Sequence, residues 1–168
     1  MKRLLLVFTF VLIATVAGLG QTDAAKAAPS TVTVDVPGAK PLTISTMEFA
    51  KYPRKEVRGK DHDGKESVYS GVELREILKP LGVKFGTEMR GKQLAQYMLV
   101  EAADGYRVVF AIAELDPEFK DDAVILADTQ DGKPLAEKDG KYQIVVPTDK
   151  RHGRWVRQVT ASHVRVSN

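Results

Sequence analysis

No cysteine occurs among the 168 residues of this chain, and that absence removes more folding options than any pattern of residues present. Without thiols there is no disulfide, no Cys-ligated zinc, no thiolate-held iron–sulfur cluster and no thiol nucleophile. A stable fold must therefore come from an apolar core. The composition can supply one: 43% of residues are hydrophobic and 28% charged, ordinary for a globular protein and unlike collagen or low-complexity disorder. Charge then narrows the partners. Lys and Arg number 25 against 22 Asp and Glu, or 23 against 22 once Lys2 and Arg3 are set aside. A near-neutral chain lacks the sustained basic field that phosphate backbones require, so nucleic acid is not an expected partner.

Residues 1–20, MKRLLLVFTFVLIATVAGLG, read as a secretory signal peptide. Two cations precede a mostly apolar run, Leu4 to Ala17, and small residues follow. The run falls short of the roughly 20 residues that span a bilayer comfortably. Cleavage fits after Gly20, or as late as Ala27, where Ala25-Lys26-Ala27 has the A-x-A form. An uncleaved N-terminal anchor is the alternative, with membrane contact through this segment only. The expectation is an exported protein, periplasmic or secreted. In such a compartment a small domain short of core would carry disulfides. Roughly 140 mature residues can bury about two-thirds of their unfolded surface, enough for one domain over residues 31–168.

Beyond residue 30 the pattern is mostly that of strands. Thr31–Val36 and Leu42–Ser45 alternate at period two around a Pro37-Gly38 turn. Thr46 is placed to cap a short helix over Met47–Lys51, which Pro53 stops. Arg54–Lys60 and Lys65–Tyr69 form a hairpin pair about the turn 61–64. Ser70-Gly71-Val72-Glu73 matches a capping box, and Val72, Leu74, Ile77, Leu78 and Leu81 follow at near-helical spacing until Pro80 and Gly82. A weaker helix is expected over Thr87–Ala95. Tyr97–Ala102 and Tyr106–Phe110 flank Asp104-Gly105, a strong hairpin signal. Ala123–Ala127, Tyr142–Val146 and Gln158–Val166 are further strands, with turns at Asp131-Gly132 and Asp139-Gly140. The fold class is α+β, mostly antiparallel β with short helices.

Familiar catalytic signatures are missing. There is no G-x-S-x-G, no Walker loop and no dinucleotide-type glycine pattern. His62, His152 and His163 are separated in sequence, with no H-x-H or H-E-x-x-H pair. Asp61-His62-Asp63 resembles a metal cluster, but Gly64 and its charged neighbours fit a solvated turn better. The informative segment is Pro147–Arg157, which follows an apolar strand. Lys150, Arg151, Arg154, Arg157 and His152 lie beside Trp155, the sole tryptophan, and together can hold a small anion. The plainer reading is a charged surface loop beside a packed Trp155, with Asp149 pairing one cation. Tyr106, at the start of a strand, is a weaker addition, and the Val72/Leu74/Ile77/Leu78 stripe is assigned to the core.

The order of several segments along the chain carries more than any one of them. Tyr69-Ser70-Gly71-Val72-Glu73-Leu74-Arg75-Glu76-Ile77-Leu78 comes first, then Asp104-Gly105-Tyr106 and Leu126-Ala127. Asp131-Gly132-Lys133-Pro134-Leu135, Val145-Val146-Pro147 and Gly153-Arg154-Trp155-Val156 complete the series. This set, from Val32 to Val166, resembles the molybdopterin-binding oxidoreductase domain of the sulfite oxidase superfamily. The resemblance implies a sulfite-oxidase-like fold with a cleft for a molybdenum–pterin cofactor and oxygen-atom transfer in active members. It also implies a metal-ligating cysteine upstream of the Gly71–Leu74 segment. Here that stretch, Arg54–Tyr69, offers no thiolate, and Arg58, Lys60 or Ser67 cannot replace a soft ligand. The expectation is a non-catalytic module binding an anionic or pterin-like ligand through Lys150, Arg151, His152, Arg154, Trp155 and Tyr106. No metal cofactor is expected, and molybdopterin is the group the resemblance leaves open. The alternatives are a molybdenum oxidoreductase holding the metal through the pterin dithiolene alone, and a structural or partner-interaction domain.

Overall fold

Two five-stranded sheets frame the described residues, and the alternation of apolar and polar residues decides which side of each strand is covered. The computed structural model describes residues 30–61 and 63–167. The expected signal segment, 1–20 with cleavage as late as 27, and His62 lie outside the described residues. Strand β1 (Val32–Asp35) buries Val32 and Val34, and β2 (Leu42–Ile44) returns beside it. Helix α1 (Thr46–Phe49) follows, its cap supplied by Ser45 rather than the expected Thr46. The Ser45 hydroxyl accepts the Glu48 N–H at 3.2 Å, one residue earlier than the sequence pattern suggests. Strands β3 (Lys55–Lys60) and β4 (Glu66–Glu73) form the expected hairpin.

The capping box at Ser70–Glu73 is the main correction. Strand β4 runs straight through it, because Tyr69 to Glu73 is paired on one side with β7 (Ile125–Gln130), and its first half with β3 on the other. Hydrogen bonding in two ladders outweighs one side-chain cap. The Ser70 hydroxyl accepts from the Arg54 guanidinium instead, and the Glu73 carboxylate pairs with Arg75 and Lys55. Helix α2 is accordingly short, Leu74–Leu78, and continues as a 3-10 turn over Lys79–Leu81 ended by Gly82. Val72, Leu74, Ile77 and Leu78 are buried, as the stripe requires. The helix expected over Thr87–Ala95 is instead two 3-10 turns, Gly86–Glu88 and Gly91–Ala95, since Gly86 and Gly91 take left-handed backbone that no α-helix continues through.

Strands β5 (Gln96–Ala102) and β6 (Arg107–Ala111) form the Asp104-Gly105 hairpin. At the second turn, Asp131 and Gly132 both have positive φ (49° and 74°), the geometry of a tight hairpin linking β7 to β8 (Lys133–Pro134). Strand β9 (Gln143–Val145) pairs with β7, and β10 (Val159–Val166) closes the chain. One sheet has the order β2-β1-β10-β5-β6; the other runs β3-β4-β7-β8, with β9 also on β7. All pairings are antiparallel except β1 with β10. The architecture is the expected α+β, and its core joins both sheets through residues such as Ile44, Met98, Phe110, Ile125 and Ile144. Among the described residues, no helix is long and apolar enough to cross a membrane.

Candidate functional site

The segment after β9 leaves the sheet at Pro147 and folds back through a 3-10 turn over His152–Arg154. Arg154 fixes that loop. Its guanidinium donates to both Asp149 carboxylate oxygens at 2.8 and 2.6 Å and to Glu114 at 2.7 Å, while lying 5.2 Å over the Phe110 ring. The hydrogen bonds to Asp149, with those to Glu114 behind them, hold its pKa above the usual arginine range despite partial burial. Glu114 also accepts the Ala111 N–H, so the loop is tied to the end of β6. Arg154 does not line the cleft in front of the loop. Of the plainer sequence reading, the Asp149 pairing is what the structure contains.

The other five candidate residues come together. Lys150, Arg151, His152, Trp155 and Tyr106 line one cleft of about 730 Å³, within the size range of small-molecule sites. Trp155 is its rigid wall. The indole is buried, its N–H donates to the Val146 carbonyl at 2.9 Å, and Tyr69 and His152 meet it edge-on at 5.3 and 4.6 Å. The far edge of the indole presses on Gly59 of β3, where a Cβ would come within 2.7 Å of the ring. A His152 ring nitrogen lies 2.7 Å from the Lys60 carbonyl, which joins the loop to the same strand. From the opposite wall, the half-exposed Tyr106 reaches across, its hydroxyl donating to the Gly153 carbonyl at 2.6 Å. Asp104 accepts the Tyr106 N–H at 2.9 Å and sets the hairpin that presents it.

Sequence reasoning missed the floor. Tyr69 of β4, Gln143 of β9 and Asp139 line the cleft, and Arg157, one of the cations read from the sequence, joins them there, paired with Asp139 at 3.1 Å. Gln143 was legible as a polar residue inside an apolar strand; Tyr69 ended the expected strand Lys65–Tyr69, with nothing local to show which face it takes. Burial, followed by the charges of Asp61, Asp139 and Asp131, pushes the Tyr69 phenol up to about 12. The lining balances in charge: Asp61, Asp63, Asp104 and Asp139 stand against Lys138, Lys150, Arg151 and Arg157 among the described residues. A second cleft, about 600 Å³, lies on the other side of the His152–Trp155 pair, between the β3–β4 hairpin and residues 147–150. Asp61 at its rim is engaged in the turn itself, accepting the Asp63 and Lys65 N–H groups, and the described residues contain no cluster of three His, Asp or Glu suited to a metal.

Fold and cleft together define a two-sheet α+β domain with a ligand-sized site where the sheets meet. No family model matches the chain, and no curated protein matches it. Among solved structures, it is similar to the sulfane dehydrogenase SoxCD from Paracoccus pantotrophus, with a TM-score of 0.62 at 19% identity over 80% of this chain. The matched region is 37% of that chain, so the protein spans little more than a third of its neighbour's length. At this identity the likeness is one of fold alone. The donors do not fit a thiolate-held molybdenum centre. The stretch Arg54 to Tyr69 carries no sulfur, and the cleft presents carboxylates, amides, phenols, an imidazole and four cationic side chains, none of them a soft thiolate.

Proposed function

We propose that this protein is an exported, non-catalytic binding module on a sulfite-oxidase-like fold, taking a small anionic or pterin-like ligand in the cleft before Trp155. One observation carries the reading: residues far apart in sequence, Tyr106 on a hairpin and Lys150 to Trp155 on the loop after β9, line one ligand-sized space and are locked together by the Tyr106–Gly153 hydrogen bond. Lys150 and Arg151 supply charge at its rim, and Arg154 positions their loop from behind. The basic and apolar pattern of residues 1–20 supports export. The absence of any cysteine supports a role without metal turnover.

Trp155 is the sole tryptophan and lies on the cleft wall, so its emission reports the site directly. Titrating the protein with sulfate, tungstate and a pterin, followed by Trp155 fluorescence and calorimetry, is expected to give saturable one-site binding of at least one probe. Lys150→Ala with Arg151→Ala is expected to weaken anion binding at least tenfold. Absence of saturable binding by all three probes overturns the proposal.

A further inference from the structure

The floor of the cleft carries two polar groups that no atom of the described residues answers. Tyr69 and Gln143 are only 3% and 6% exposed, and both line the cleft. Neither the Tyr69 hydroxyl nor the Gln143 side-chain amide makes a hydrogen bond to any described residue, and neither belongs to the sealed, unpartnered polar atoms of the interior. A polar group so deeply placed is normally satisfied, because leaving one unpaired costs about 1–3 kcal/mol. Groups aimed into a space of ligand size are satisfied by whatever fills it.

The chemistry of the floor separates the two ligand types left open above. The tyrosine is held as a neutral phenol, because burial and the carboxylates of Asp61, Asp139 and Asp131 oppose negative charge at that point. The same field opposes an oxyanion. Asp139 and Arg157, paired at 3.1 Å, offset one another there, so burial and the remaining carboxylates set that preference. What remains is a donor in the Tyr69 hydroxyl and a donor with an acceptor in the Gln143 amide. We propose that Tyr69 and Gln143 recognise an uncharged acceptor–donor edge, of the amide, lactam or urea type, and that oxyanions are excluded from this end of the cleft. This rests on the binding-module reading and specifies its ligand: the neutral edge goes in first, and any anionic group stays at the Lys150–Arg151 rim.

The test compares a pterin, which carries such an edge, with sulfate and tungstate, which do not, on the full chain and on Tyr69→Phe and Gln143→Leu. Thermal unfolding identifies any variant that has lost its fold, and Gln143→Glu serves as a second, isosteric probe of the same position. The expected result is that the pterin binds, that each variant weakens it about tenfold, and that the oxyanions fail to displace it. A pterin bound equally well by all variants overturns this inference and leaves the binding module standing. So does displacement of the pterin by sulfate at equal affinity. Failure of every probe to bind the unmodified chain removes the binding module itself, and this inference with it.

Discussion

Arg154 shows how one residue type can suggest one role and serve another. An arginine beside a tryptophan reads as an anion fork, yet here the fork is filled by Asp149 and Glu114. Arg154→Met is therefore expected to cost about 2 kcal/mol, checked by urea unfolding, because two carboxylates lose a charged partner at a site still about a third exposed to water. Gly71 is constrained more severely. It sits at the bulge between β4 and β7, where a Cβ would overlap the Leu126 carbonyl oxygen. Gly71→Ala should destabilise by about 3 kcal/mol or prevent folding, and an unfolding midpoint equal to wild type would contradict this. Asp131 supplies the acid response. The Val68 N–H donates to its carboxylate at 2.8 Å, and this bond holds the pKa below the usual 3.8. A lowered native pKa means stability that is present above the unfolded value and lost as pH falls through the native one. Asp131→Asn tolerates the positive φ and keeps an acceptor, so the Tm gap to wild type should be full at neutral pH and shrink progressively as pH falls below the usual 3.8.

At the scale of elements, local signals were read well where the chain decides alone and poorly where a distant strand decides. The Asp104-Gly105 and Asp131-Gly132 turns were legible because a positive φ is a local demand. The Ser70–Glu73 box was misread because its fate depends on β7, more than fifty residues later. The Thr87–Ala95 helix gives way to 3-10 turns on a local cue, the left-handed glycines at 86 and 91. The candidate site divided likewise. Its loop was visible as a charge cluster, whereas its floor at Tyr69, Asp139 and Gln143 exists only because β4 and β9 flank β7. The Tyr106 hydroxyl joins the turn end of the β5–β6 hairpin to the 150–154 loop, while Arg154 and Glu114 tie that loop to the other end of β6. Tyr106→Phe should therefore lower stability by about 1 kcal/mol or less while speeding amide exchange over residues 150–154. Unchanged exchange there would show that the hairpin and loop are held by other contacts.

For the whole molecule, the absence of cysteine and the balance of charge in the cleft point the same way. Protein produced in a host that makes the molybdenum cofactor is expected to purify without stoichiometric molybdenum by elemental analysis. About one metal per chain would establish dithiolene-only ligation in its place. The order of strands in the larger-span sheet has a consequence of another kind. Strand β10 lies in its middle, joining β1 and β2 on one side to β5 and β6 on the other, yet it is synthesised after all four. While the ribosome is still delivering residues 112–158, that sheet exists only as two separate ribbons, each exposing an unmatched edge. That sheet thus stays open until β10 docks, and removal of residues 159–167 should release both ribbons at once rather than fray one end.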